Sequence, residues 1–143
     1  MSAVYLETSA ALAWLLGEPD GSRVINILEG ADEVVTSVLT LIEIQRAFIR
    51  AEASGMISEA DRFRLMGLLN ETQFQWAMME ITAEVRERAC GKFPVEPVRT
   101  LDAMHLSTAL EFLKVFPETY VLSLDQRIVS NLQPLGLSPV PSS

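Results

Sequence analysis

The chain has 143 residues, 49% of them hydrophobic and 21% charged, which suits one globular domain with a real core and argues against disorder. A net charge of −8 and a pI near 4.6 weigh against a protein that coats nucleic acid through its bulk field. They weigh less against a metal-dependent nuclease, because site carboxylates contribute to the total and a bound cation locally inverts it.

One cysteine, Cys90, excludes an internal disulfide and fits a reducing compartment. Its helical context predicts a buried, inert thiol. The first apolar run begins without a basic leader, and no apolar stretch approaches membrane-spanning length, so the expectation is a soluble cytoplasmic protein.

Residues 3–6 read as a short buried strand, and Thr8 or Ser9 is expected to cap a helix to about Leu16. Gly17 to Gly21 break the pattern, with Pro19 suited to the first turn of a helix from Ser22 to Glu29 that Gly30 ends. Glu33 to Ser37 is β-branched and predicts the second strand. A helix from Val38 to Ser54 carries Leu41, Ile44, Phe48 and Ala51 as one apolar stripe, with Glu43, Arg46 and Arg50 roughly opposite. Ser58 and Asp61 form a capping pattern for a helix over Glu59 to Gln73, and Phe74 to Glu80 reads as the third strand.

Thr82 to Gly91 predicts a short helix, and Phe93 to Val98 a loop kept extended by two prolines. Thr100 is expected to cap a helix to about Phe116, followed by a strand over Glu118 to Leu124. Asp125 caps a last helix to Leu132, and Leu137 to Pro141 is a proline-bearing edge strand. The alternation predicts a single α/β domain over residues 1–143, three layers (α/β/α) around a mostly parallel central sheet.

Four carboxylates stand out: Glu7 after the first strand, Glu43 on a helix, Asp102 opening another, and Asp125 after the fourth strand. Each has a structural explanation. Asp125 is a good N-cap, Asp102 complements a helix dipole, Glu43 can pair with Arg46, and Glu7 can simply end its strand. Together they are better explained by one edge of a parallel sheet, where strand ends and the following helices gather.

Acids collected in a cleft need a cation, and a chain with one histidine and no cysteine pair offers hard oxygen donors suited to Mg²⁺ or Mn²⁺. His105 lies three residues after Asp102 and reads as a packed core histidine with metal binding or proton relay as the alternative. Trp14 reads as helix packing, with an interface role as the alternative. Arg62 and Arg64 read as salt-bridged surface, whereas Arg86, Arg88, Lys92 and Arg99 fit either surface pairing or phosphate contact. Zinc motifs, phosphate loops, dinucleotide fingerprints and nucleophile elbows are absent from the sequence.

The segments Val4-Tyr5-Leu6-Glu7-Thr8-Ser9-Ala10, Thr40-Leu41-Ile42-Glu43, Arg99 to Leu106 and Leu122 to Arg127 resemble the successive motifs of PIN-domain ribonucleases. The resemblance is strongest to VapC-type toxins of bacterial toxin–antitoxin pairs, and it runs from Ala3 to Val140. It implies that Glu7, Glu43, Asp102 and Asp125 hold Mg²⁺ or Mn²⁺ and that Glu43, Asp102 and Asp125 serve RNA phosphodiester hydrolysis. Thr8 and Ser9 would bind water or a phosphate oxygen, and Arg99, with Arg46 or Arg50, would steer the RNA backbone. It further implies a homodimer held inactive by a cognate antitoxin. Exposed apolar helix surface would serve such contacts, with the segments around Phe48, Met56, Phe63 and Met66 as candidates and core packing as the alternative reading of that stripe.

Two positions depart from the family pattern: Trp14 stands where these toxins often have a basic residue, and Glu7 where the first acid is normally Asp. Glu7 carries its carboxylate about 1.5 Å further out, one carbon–carbon bond, whereas catalytic geometry tolerates about 0.5 Å. The expectation is metal binding with an altered rate, and the alternative is an attenuated or inactive PIN-like interaction module. A receiver-like domain also clusters acids at strand ends, but it wants a lysine after a late strand, and none follows Lys114.

Overall fold

The structure, a computed structural model, describes residues 3–141. Its centre is β1 (Ala3–Leu6), every residue of which is buried. Four apolar-lined residues with no polar face can be satisfied only between neighbouring strands and two helical layers. β1 pairs in parallel with β2 (Glu33–Ser37) on one side and β4 (Thr119–Leu122) on the other. β3 (Ala77–Met79) extends the sheet beyond β2, and β5 (Ser138–Pro139) beyond β4. The order is β3-β2-β1-β4-β5 and all four pairings are parallel, so the expected mostly parallel sheet is parallel throughout.

The strand alternation assigns the two faces. Val4 and Leu6 point into a core shared with α1 (Thr8–Leu15), α2 (Gly21–Gly30), α3 (Val38–Ala53) and α4 (Glu59–Gln73), where Ile44, Phe48, Leu65 and Leu69 are buried. Tyr5 and Val35 point to the other face, packed with Leu106, Phe112, Ile128 and Leu132 from α6 (Thr100–Val115) and α7 (Gln126–Leu132). α5 (Ala83–Ala89) packs along α6. At the start of α2, a Cβ on Gly21 would stand 2.6 Å from the Ala13 carbonyl oxygen, so glycine lets α2 close tightly on α1. Gly55, at φ +80°, turns the chain out of α3 as a left-handed stop.

Several expectations are corrected. The cap of α1 is Glu7, whose side chain accepts from the Ser9 N–H, and Thr8 and Ser9 are helical residues. α6 begins at Thr100 after Arg99, an N-cap with no side-chain hydrogen bond. Pro19 precedes Asp20, the N-cap of α2, and lies outside that helix. β3 is shorter than expected because Phe74 leaves α4 as an exposed cap residue and Trp76 turns into the core. Cys90 is exposed: it caps the C-terminus of a seven-residue helix whose only buried residue is Val85.

Phe48 is fully buried and Met66 packs on the core, so of the expected docking residues only Met56 and Phe63 are exposed. Arg62 pairs with Glu52 and Arg64 with Asp61, the surface role expected for both. Arg88 stacks over the Phe93 ring and donates to the Lys92 carbonyl. Among the described residues, no helix is long and apolar enough to cross a membrane.

Candidate active site

In the order β3-β2-β1-β4-β5 the winding direction reverses between β1 and β4, and the crevice beyond their C-terminal ends is where such sheets form sites. Glu7 follows β1 and Asp125 follows β4, so the topology brings them together from opposite ends of the chain. α3, which leaves the end of β2, adds Glu43, and the first turn of α6 adds Asp102. All four acids line one open cavity of about 990 Å³, together with Thr8, Ser9, Arg46, Arg50, Arg99 and His105.

The start of α6 is set by the loop before it. Glu96 accepts from the Phe93 and Val98 N–H groups at 2.9 and 2.7 Å. Fully buried Asn131 clamps Val95, accepting from its N–H at 2.8 Å and donating to its carbonyl at 3.0 Å. These bonds satisfy backbone groups that two prolines leave without a regular partner, and they fix where Asp102 enters the cavity. Neither role was read from the sequence.

Asp102 is 8% exposed, and its Oδ2 is buried without a hydrogen-bond partner. Arg99 Nε is 3.8 Å from that oxygen, beyond hydrogen-bond reach. Burial pushes the Asp102 carboxyl above its usual range and the Asp125 charge adds to the rise, outweighing Arg99. Asp125 caps α7, accepting from the Arg127 N–H at 2.9 Å.

Glu43 has the opposite character. Its Oε1 accepts from Thr8 Oγ1 at 2.5 Å and meets His105 Nε2 at 2.6 Å. Burial opposes its ionisation, but the bonds from His105 and Thr8, with the nearby Arg50 charge, outweigh burial and hold the carboxyl below its usual range. The Arg46 pairing that helix spacing suggested is replaced by this cross-sheet contact.

Glu7 is 5% exposed and folds back on itself. Its Oε2 accepts from the Ser9 N–H at 3.1 Å, and its Oε1 accepts from the Ser9 hydroxyl and from Ser123 Oγ, the latter at 2.6 Å. Ser9 Oγ in turn accepts from the Leu124 N–H at 2.9 Å, and Ser123 Oγ from the Asp125 N–H at 3.1 Å. The longer side chain thus joins the ends of β1 and β4 through two serines. Thr8 and Ser9, expected to face a ligand, use their hydroxyls to hold Glu43 and Glu7.

Among the described residues, no three carboxylate, imidazole or thiol groups stand together as a complete metal-ligand set. The acids share a cavity without converging on one point, because Glu7 and Glu43 are drawn aside by their own hydrogen bonds. The donor chemistry still fits a hard divalent cation. Asp102 Oδ2 is an unpaired buried oxygen beside a second acid, and Mg²⁺ commonly takes only one or two protein carboxylates and keeps several waters.

Sequence reasoning missed Ser123, Tyr5 and the link from His105 to Glu43. The available signal was polar side chains inside apolar runs: Ser123 between Leu122 and Leu124, and Tyr5 between Val4 and Leu6. His105 is packed, at 2% exposed, as expected, and it is also bonded to the acid cluster.

A parallel sheet in this order, with acids after β1 and β4 and on the helices beside them, defines a class of nuclease-like α/β domains. The chain belongs to the PIN-domain family, whose profile matches residues 4–113. Within that family its relatives are VapC proteins. It is 29% identical over 145 residues to Ribonuclease VapC35 of Mycobacterium tuberculosis, covering 96% of this chain and 95% of that protein. Ribonuclease VapC46 of M. tuberculosis is 31% identical over 109 residues, 76% of this chain and 75% of the relative. The solved structure of VapBC2 from Rickettsia felis bound to a DNA fragment from their promoter superposes with a TM-score of 0.66 over 96% of each chain, at 14% identity, which speaks to the fold.

Proposed function

We propose that the chain is a Mg²⁺- or Mn²⁺-dependent endoribonuclease, the toxin of a toxin–antitoxin pair, acting in the cytoplasm as one domain over residues 1–143. The observation that carries this reading is the unpaired, buried Asp102 Oδ2 beside Asp125 in a cavity that all four acids line. Two acids held side by side in this way are stabilised by a cation.

Asp102 and Asp125 would hold the ion, with Glu43 through its free Oε2 and Glu7 through water or after a change of rotamer. When bound, the ion supplies Lewis acidity, lowering the pKa of water and offsetting negative charge on the phosphate. Glu43, kept ionised by its neighbours, would orient a water by accepting its hydrogen bond. Arg46, Arg50 and Arg99 line the same cavity and contact RNA phosphates, contributing position more than sequence choice. Thr8 and Ser9 act by orienting Glu43 and Glu7 through the hydrogen bonds that they donate to those carboxylates. The antitoxin, a protein partner of the kind that the name VapBC2 denotes for the R. felis complex, would cover this cavity, and the working form is a homodimer.

The test is cleavage of a structured RNA with Mg²⁺, Mn²⁺ or EDTA, alongside Asp102→Ala. Cleavage that needs the metal and disappears in the variant supports the reading. Activity that survives both chelation and the substitution rules it out.

A second reading has its own support. Glu7 is tethered by Ser9 and Ser123, which favours a domain that binds metal weakly and works as an interaction module. RNA left uncut by both the present chain and Glu7→Asp would select that reading.

A further inference from the structure

His105 is the only histidine in the chain, and both of its ring nitrogens are engaged. The Tyr5 hydroxyl lies 2.8 Å from Nδ1. On the other side, Nε2 lies 2.6 Å from Glu43 Oε1 and 3.3 Å from Thr8 Oγ1. An ionised carboxylate only accepts, so the contact with Glu43 requires a proton on Nε2.

Tyr5 is 1% exposed on the central strand, and a buried phenol needs an acceptor for its own proton. Among the described residues its hydrogen-bond partner is Nδ1. The protons therefore run one way: Tyr5 O–H to Nδ1, and Nε2–H to Glu43. Thr8 adds its own proton to the same carboxylate oxygen. Among the described residues, Glu43 Oε2 makes no hydrogen bond to protein.

We propose that Tyr5 and His105 form a buried positioning pair for Glu43, in which Tyr5 donates to Nδ1 of the neutral Nε2–H tautomer and His105 holds Glu43 by Oε1 alone, so that Oε2 is the atom presented to the cavity. Simple packing would be served equally by an apolar side chain at 105, since Leu106, Ala109 and Phe112 of the same helix are buried without polar atoms. The device is an outer hydrogen-bond layer that sets the direction of a ligand oxygen. Its link to RNA cleavage rests on the ribonuclease reading, whereas its geometry does not.

The first test is long-range ¹H–¹⁵N NMR of metal-free, full-length protein at one near-neutral pH, where the only imidazole signals are those of His105. The Nε2–H tautomer is expected, and Tyr5→Phe, which removes the donor to Nδ1, should move the Nδ1 resonance while Glu43 keeps the proton on Nε2. An Nδ1–H tautomer, an imidazolium, or a spectrum that Tyr5→Phe leaves unchanged overturns the proposal.

The second test is Mn²⁺ binding followed by electron paramagnetic resonance in His105→Gln and His105→Leu. Glutamine keeps an amide N–H near the Nε2 position and should bind close to the wild type, while leucine should bind about tenfold more weakly. Equal affinities in the two variants overturn the positioning role. Should His105→Leu fail to fold, or the wild type bind no Mn²⁺, the Tyr5→Phe spectrum decides alone. If both tests give the expected results while the wild type leaves RNA uncut in every metal, the ribonuclease reading falls and the positioning pair stands.

Discussion

Glu7→Asp perturbs the first acid, where this chain departs from the PIN pattern. Shortening the side chain withdraws the carboxylate by about 1.5 Å. Aspartate is at least as good an N-cap as glutamate, so the bond from the Ser9 N–H should survive. The bond from Ser123 Oγ, 2.6 Å in the present chain, cannot. Hydrogen bonds to charged groups contribute about 1.5–3 kcal/mol each. Part of that loss is recovered because Ser123 Oγ still accepts from the Asp125 N–H and lies 3.4 Å from Ser9 Oγ. The net expectation in EDTA is a destabilisation of about 1–2 kcal/mol, a fall in melting temperature of about 3–6 °C for a domain of this size.

Metal should reverse the order. A carboxylate released from Ser123 faces the cavity, and tenfold tighter binding corresponds to about 1.4 kcal/mol. Glu7→Asp should therefore gain more stability from Mn²⁺ than the wild type and cut RNA faster. Thermal unfolding of both proteins, in EDTA and across a Mn²⁺ series, checks the balance. A variant that is as stable as the wild type without metal, and gains no more from Mn²⁺, would refute the tether argument.

The remaining predictions concern the other wall of the cavity. Asp102→Asn removes a buried charge that repels Asp125, so the metal-free variant should match or exceed the wild type in urea stability while losing metal-dependent stabilisation. The pH dependence has a definite sign. The Asp102 carboxyl is raised on folding, so its stabilising contribution is full below its unfolded value of about 3.9 and is lost as pH rises through the higher folded value. The stability difference between variant and wild type in EDTA should accordingly shrink as pH is lowered from neutral. Glu43 runs the other way: its contribution is present above about pH 4.3 and is lost as pH falls through its depressed folded value. A difference that grows on acidification would contradict the environment described for Asp102. Arg46→Gln with Arg50→Gln, both exposed, should change stability by less than about 0.5 kcal/mol each. RNA binding should weaken, and for single strands each phosphate that is no longer neutralised should make the salt dependence about 0.7 shallower, as read from affinity at several salt concentrations.

Most of the architecture was legible because its signals are local. β2 and α4 match their expected spans residue for residue: a β-branched run and a capping box each act within a few neighbouring residues. The caps at Glu7 and Arg99 were misread for a related reason. Thr, Ser and Thr are the better capping types at those places, but where a helix begins is decided by where the strand or loop before it is held. Glu7 follows the buried end of β1 directly, and Arg99 follows a loop pinned by Asn131 from more than thirty residues away. Likewise Cys90 sits on a helix of the expected kind whose apolar face is too narrow to bury it.

The site divides along the same line. That four acids would meet at one sheet edge follows from periodicity and winding, both readable along the chain. What each acid then does depends on partners 35 to 116 residues away: Thr8 and His105 for Glu43, Ser123 for Glu7. Such contacts turn a set of similar carboxylates into unlike ones. Glu43 is ionised and held by one oxygen, Glu7 ties two strands together, and Asp102 alone keeps a buried oxygen without a partner. The difference also accounts for the effect of the extra methylene in Glu7. It carries the carboxylate far enough to reach Ser123 just beyond the neighbouring strand, so that a cation must compete with two serine hydroxyls for Glu7 Oε1. Metal affinity at this edge is then set by how much of that serine bonding a cation must displace, and Ser123→Ala in the wild-type background should strengthen Mn²⁺ binding. If that variant bound Mn²⁺ no better than the wild type, Glu7 would not be competing between serine and metal at all.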